Sequence, residues 1–194
     1  MITFIKGSVV ELSPAAVVVE AYGVGYELVI SLNTYTELKK KPENVLIYTY
    51  HHVREDAEIL YGFAGKNERE LFRLLITVNG IGPSSAISML SGLDSRELSK
   101  AILNENVNAL KAIKGIGAKT AQRIILDLKD KIGNDDMEYL NSDLPVNNIK
   151  NEALSALEVL GIPKKFAEPI VQQQLNESPQ STVEELIKLT LKKK

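Results

Sequence analysis

Two Gly-Ile-Gly triplets, Gly80-Ile81-Gly82 and Gly115-Ile116-Gly117, stand 35 residues apart in this sequence. Around them Leu75 to Ala86 can be laid over Leu110 to Ala121, and both glycines, the isoleucine between them and the closing alanine coincide. Each copy ends one apolar-periodic segment, turns, and opens another, so it reads as a helix, a hairpin and a second helix. Glycine tolerates positive φ and carries no Cβ, so an outside group can come close to the backbone there. The N–H groups opening the second helix then face that group with the positive end of the helix dipole behind them. Such a nest suits a phosphate oxygen. The isoleucine between the glycines is expected to plug the gap between the two helices. One triplet alone is explained equally well by a tight helical turn. Two in register, with matched apolar flanks, point to a repeated phosphate site.

The side chains around the second triplet fit the same chemistry. Lys114, Lys119, Thr120 and Arg123 surround Gly115, Ile116 and Gly117, whereas the first triplet, Gly80, Ile81 and Gly82, is followed by Ser84 and Ser88 at the positions equivalent to Lys119 and Arg123. The second hairpin is therefore expected to dominate affinity. Contacts of this kind grip a nucleic-acid backbone without reading bases, so binding should be sequence-independent and salt-sensitive.

The net charge is −2, but its distribution is uneven. Residues 64–133 hold 11 basic and 7 acidic side chains, against 5 and 8 in 1–63 and 7 and 10 in 134–194. The basic excess falls on the segment that carries the two triplets.

Other chemistry finds little support. The chain has no cysteine, which excludes disulfides and thiolate metal sites and suits a reducing compartment. His51 and His52 are adjacent in a strand-like run and point to opposite faces, which disfavours shared metal ligation. Gly117-Ala118-Lys119-Thr120 and Gly65-Lys66-Asn67 lack the spacing of a nucleotide phosphate loop. We expect no catalytic residue, no metal and no cofactor. No apolar run reaches membrane-span length, and Lys6, Gly7 and Glu11 interrupt the pattern a secretory leader would need, so the expectation is a cytoplasmic protein without a membrane partner.

The elements that must position these residues fall into three parts. Over 1–63, β-branched and aromatic residues cluster at 2–12, 15–21, 26–31, 45–53 and 57–63 between turn signals. Five short strands in that length suggest an OB-type barrel, with an SH3-like barrel as the alternative. From Lys66 the period changes to helical and continues to Ile132. Pro83 suits a first helical turn, Asp94 with Glu97 forms a capping box, and Asn106 suits an N-cap. The stretch 134–148 is rich in Asn, Asp and Ser and reads as a flexible acidic linker. Beyond it, 149–194 reads as a small three-helix bundle, with Lys192-Lys193-Lys194 as a frayed tail.

Val53-Arg54-Glu55-Asp56, Leu60-Tyr61-Gly62-Phe63, Gly23-Val24-Gly25-Tyr26-Glu27, Asn79-Gly80-Ile81-Gly82-Pro83 and Gly115-Ile116-Gly117-Ala118-Lys119-Thr120-Ala121 together resemble the RuvA family, the Holliday-junction-binding subunits of a bacterial branch-migration complex. The resemblance runs over essentially the whole chain and is weakest in the linker. It implies an α+β multidomain chain: an N-terminal OB-fold barrel, a central double helix-hairpin-helix all-α domain and a C-terminal three-helix bundle. Four chains would surround a four-way junction, as one tetramer or as two face to face, with the RuvB ATPase ring motor and the RuvC resolvase as partners. It further implies that Glu55 and Asp56 form an acidic pin at the crossover and that Leu157, Leu160, Ile162 and Leu191 bind the motor, with Gly161 ending a helix so that Ile162 is displayed from the turn. The sequence departs from the family pattern where Ser84 and Ser85 follow Pro83 and where Ala118 replaces a frequent Lys. Two other classes compete: a nuclease or glycosylase accessory, which metal-dependent cleavage would reveal, and a general single-strand or DNA-end binder, which relative affinities would reveal.

Overall fold

Five strands form, β1 (Phe4–Leu12), β2 (Ala16–Ala21), β3 (Val24–Ile30), β4 (Val45–Val53) and β5 (Glu58–Phe63). The period-2 pattern is clearest where Val17 and Val19, Leu28 and Ile30, and Val45 and Ile47 point inward and are buried. The structure, a computed structural model, describes residues 1–41, 43–141, 145–178 and 180–193, with 133–141 and 145–148 as backbone only. The strands close in the order β1-β2-β3-β5-β4, all pairs antiparallel except β3 with β5, where Val29 faces Tyr61 and Ile30 faces Gly62. Between β3 and β4 lies helix α1 (Leu32–Lys40), opened by Ser31, whose side chain accepts from the Thr34 N–H. A five-stranded barrel in this order, with a helix between the third and fourth strands, is the OB arrangement; the SH3-like alternative is set aside. Helix α1 was not foreseen, and β3 begins two residues earlier than the sequence pattern suggested.

Four helices and the start of a fifth follow in the same compact unit, Met1–Gly133. They are α2 (Lys66–Thr77), α3 (Pro83–Gly92), α4 (Ser95–Leu103), α5 (Val107–Lys111) and α6 (Ala118–Asn141). Pro83 occupies the first turn of α3, the Asp94–Glu97 capping box opens α4, and the Asn106 side chain accepts from the Ala109 N–H at the start of α5, as the sequence indicated. The boundary expected at 63/64 is a hand-over from strand to helix, and one core crosses it. Tyr61 and Phe63 from the barrel lie 5.2 and 5.0 Å from the Phe72 ring, and the same cluster continues through Leu75, Met89 and Ile102 to Ile124. Removing a fully buried side chain such as Phe72 costs about 3–5 kcal/mol, so barrel and hairpins stabilise one another.

The second unit, Asn134–Lys194, contains α7 (Pro145–Val159), α8 (Lys164–Glu177) and α9 (Val183–Lys192) around Leu154, Leu157, Ile162, Val171 and Leu186. A Thr182–Glu185 capping box opens α9. The stretch expected as a linker is helical backbone up to Asn141 and again from Pro145; its remaining residues, 142–144, lie outside the described ones, as does Lys194 of the expected tail. The polar, turn-rich composition that suggested a linker does not forbid a helical backbone.

Candidate nucleic-acid interface

The two hairpins are built bond for bond alike. In the first, the Val78 N–H donates to Leu75 O (3.1 Å), Ile81 N–H to Val78 O (3.0 Å) and Ala86 N–H to Gly82 O (3.0 Å). In the second, Ile113 N–H donates to Leu110 O (3.2 Å), Ile116 N–H to Ile113 O (3.1 Å) and Ala121 N–H to Gly117 O (2.9 Å). Ile81 and Ile116 are both buried in the shared core, so each plugs its hairpin as expected.

The four glycines divide into two kinds. Gly80 and Gly115 lie at φ +93° and +89°, the left-handed region where only glycine is comfortable, so they make the turn. Gly82 and Gly117 do not have positive φ, and a Cβ added to either would meet nothing within 4 Å. Neither backbone conformation nor packing within the chain requires glycine at these two positions. What their lack of a side chain provides is open space beside the first N–H groups of α3 and α6. An incoming anion can use that space.

The hairpins differ in what they offer. Pro83, at the first position of α3, has no N–H, whereas Ala118 at the equivalent position of α6 has one. Lys114 and Lys119 are exposed, Thr120 is half-buried, and Arg123 is exposed with its Nε 3.9 Å from Asp127 Oδ2. That pair is an exposed one and holds Arg123 only weakly. Ser84 is exposed, and the Tyr61 phenol pKa is raised by burial against the opposing pull of Arg54 and Ser84. The first hairpin thus lacks both a basic side chain and one backbone donor. Lys111, exposed at the end of α5, extends the basic run before the second hairpin; the sequence reading did not single it out, although the charge count contained it.

Glu55 and Asp56 form the exposed two-residue tip between β4 and β5, closed by the Arg54 N–H on Ala57 O at 2.8 Å. Arg54 is also exposed and its Nε donates to His52 Nε2 at 3.0 Å, so a cation stands beside the two carboxylates. His51 pairs instead with Glu58, and the two imidazoles serve separate partners.

In the second unit the expected apolar set splits. Leu160 and Leu191 are exposed, but Leu157 and Ile162 are buried, which corrects the expectation that Ile162 is displayed. Gly161, at φ +78°, does end α7, with its N–H on Glu158 O at 3.0 Å and the Ile162 N–H on Leu157 O at 2.9 Å. This is a Schellman closure, and it brings the residue after the glycine back against the helix. Ile162 therefore packs in the core beside Leu157. Val159 and Phe166, not singled out from sequence, are exposed as well.

No helix among the described residues is long and apolar enough to cross a membrane. Three family models match in succession: "RuvA N terminal domain" over residues 1–62, "SAM-like Helix-hairpin-helix tandem" over 72–130 and "RuvA, C-terminal domain" over 148–193. Relatives named Holliday junction branch migration complex subunit RuvA are 50% identical in Christiangramia forsetii and 47% in Bacteroides fragilis, each over 100% of both chains. The relative of that name in Flavobacterium psychrophilum is 45% identical over 99% of both chains. A barrel, a tandem of matched helix-hairpin-helix units and a terminal helical unit, matched model by model and at this identity end to end, make the chain a member of the RuvA family.

Proposed function

We propose that the chain binds four-way DNA junctions through their phosphate backbones, without reading sequence and without cutting, and recruits the RuvB ATPase ring for branch migration in recombination and repair. The observation that carries this reading is the pair of glycine hollows at Gly82 and Gly117, repeated on matched hairpins and not required by the chain's own packing. Backbone N–H groups aimed at phosphates hold a duplex in place but leave its bases unread. The motor, not this chain, supplies ATP hydrolysis.

The finer assignments extend the same reading. A closed cyclic tetramer repeats one DNA-facing surface four times and matches four arms; a second tetramer would cover the opposite face. Glu55 and Asp56, exposed at a hairpin tip, are assigned to the centre, where a carboxylate about 6 Å from a phosphate costs roughly 0.7–3 kcal/mol for effective dielectrics between 80 and 20. Repulsion of that size favours separated strands over a continuous duplex at the crossover. Leu160 and Leu191 remain as the exposed part of the motor-binding set. The RuvC resolvase is assigned as a second partner and the cytoplasm as the compartment. The test is a labelled junction incubated with the chain, Mg²⁺ and then the motor with ATP. Migration without cleavage by the chain alone is expected. Metal-dependent cleavage would make it a nuclease, and failure to stimulate the motor would remove the recruitment role.

A further inference from the structure

Helix α1 belongs to the barrel by sequence, yet its first turn spends its polar groups on the hairpin helices. The Asn33 side chain donates to Leu90 O at 2.6 Å and Leu93 O at 3.2 Å, and the Leu32 N–H donates to Ser91 Oγ at 3.1 Å. These acceptors lie at the C-terminal end of α3, the helix whose other end carries the Gly82 hollow. On the α2 side, the Ser31 and Thr34 hydroxyls both donate to the Glu68 carboxylate, the Thr34 bond at 2.6 Å. The Ala64 N–H at the strand-to-helix hand-over donates to Thr34 Oγ1 at 3.0 Å.

Glu68 is buried, and a buried carboxylate is costly unless its hydrogen bonds are met. Burial pushes its pKa up, opposed by the same two hydroxyls. An apolar residue here would join the surrounding core without this cost, so the carboxylate contributes direction, not burial. The shared core around Phe72 also joins barrel to hairpins, but apolar contact is non-directional and permits small rotations. Hydrogen bonds fixed at both ends do not.

We propose that the first turn of α1, Ser31 to Thr34, is a clasp that sets the angle between the barrel and the phosphate-binding hairpins by gripping Glu68 on α2 and the carbonyl end of α3. Its residues are positioning residues: they touch no DNA, but they fix where the Gly82 hollow points relative to the barrel. The consequence rests on the junction-binding reading above. If four barrels assemble about one axis, the clasp angle decides whether four sets of hairpins meet four arms together, and simultaneous engagement is what raises affinity beyond that of a single arm. A lone duplex, held by one protomer's surface, is indifferent to that angle.

The test uses the full chain, which has no native cysteine, with Glu11→Cys and Lys100→Cys as unique spin-label sites on the barrel and on α4. Labelled chain is diluted into unlabelled chain so that only distances within one protomer are read. The parent is expected to give a narrow distance distribution, broadened or shifted in Asn33→Ala and in Glu68→Ala and restored toward the parent in Glu68→Gln, whose amide accepts from one hydroxyl and can donate to the oxygen of the other. In unlabelled proteins the junction-over-duplex affinity ratio is expected to fall about tenfold in the two alanine variants and to recover in Glu68→Gln. Simple loss of folded protein would lower both affinities in parallel and leave the ratio alone. An unchanged distance distribution in both alanine variants overturns the clasp, as does a broadened one with an unchanged ratio. A parent with no junction preference instead overturns the junction-binding reading, and the distance distributions then decide the clasp separately.

Discussion

Gly117→Ala separates DNA contact from folding, because the structure gives the new methyl group free space. A Cβ at this position meets nothing within 4 Å and φ is not positive, so no steric cost arises within the chain. Replacing glycine by alanine gains about 0.4–1 kcal/mol by restricting the unfolded chain. Alanine is a poorer N-cap than glycine by a similar amount, so the two effects nearly cancel and the melting temperature should stay close to the parent's. Binding is another matter. On the proposed reading, the methyl group occupies the space through which a phosphate oxygen reaches the N–H groups of α6, and a hydrogen bond to a charged acceptor contributes about 1.5–3 kcal/mol. At about 1.4 kcal/mol per decade, affinity for a short duplex should fall roughly 10- to 100-fold. The log–log salt slope should shrink by about 0.9 for each phosphate released. Gly115→Ala is the contrasting control: at φ +89° a side chain costs about 1–2 kcal/mol, so this variant should melt lower. The assay is fluorescence anisotropy with a labelled duplex at several salt concentrations, alongside thermal melts. Parent-like affinity and slope in Gly117→Ala would refute the phosphate hollow.

Three further outcomes are expected. Lys119→Ala should weaken binding equally on all DNA sequences and reduce the salt slope by about 1, since one phosphate contact is lost; an unchanged slope makes Lys119 a solvated helix residue. Glu55→Gln with Asp56→Asn should leave folding and junction binding intact, raise relative affinity for plain duplex and change the migration rate with the motor; equal preference and equal rate make the tip an ordinary solvated turn. Leu160→Asp should abolish motor recruitment with the second unit still folded, whereas Ile162→Asp should unfold that unit by burying a charge; full stimulation of the motor by Leu160→Asp removes Leu160 from the partner surface.

The hairpins were readable because their signal is conformational: a positive-φ turn demands glycine, and two copies in register expose the repeat. Strand positions were readable from β-branched and aromatic clusters between turn signals, helped in β2, β3 and β4 by inward residues at alternate positions. Helix α1 was not. Its sequence, Leu32 to Lys40, buries only Thr34 and Leu38, so it shows no apolar stripe, and its Ser31 cap is visible only once the helix is known. The parallel pairing of β3 with β5 that closes the barrel joins residues about thirty positions apart and leaves no local trace. Ile162 was misplaced because a glycine that ends a helix can release the next residue or fold it back, and the Schellman bonds that decide this are made by backbone, not by side chains. At the hairpins, all four glycines stand in open space, and Gly82 and Gly117, the ones proposed to admit a phosphate, become distinguishable from the turn glycines only through φ.

The most direct measurement is a competition titration, at one fixed salt concentration, of a four-way junction against a duplex of the same length and charge per arm and against the single strand. Engagement of four arms at once predicts that the junction outcompetes the duplex by about 100-fold or more, with the single strand weakest. Equal affinity for junction and duplex, or a preference for the single strand, would contradict junction binding as the function of this chain.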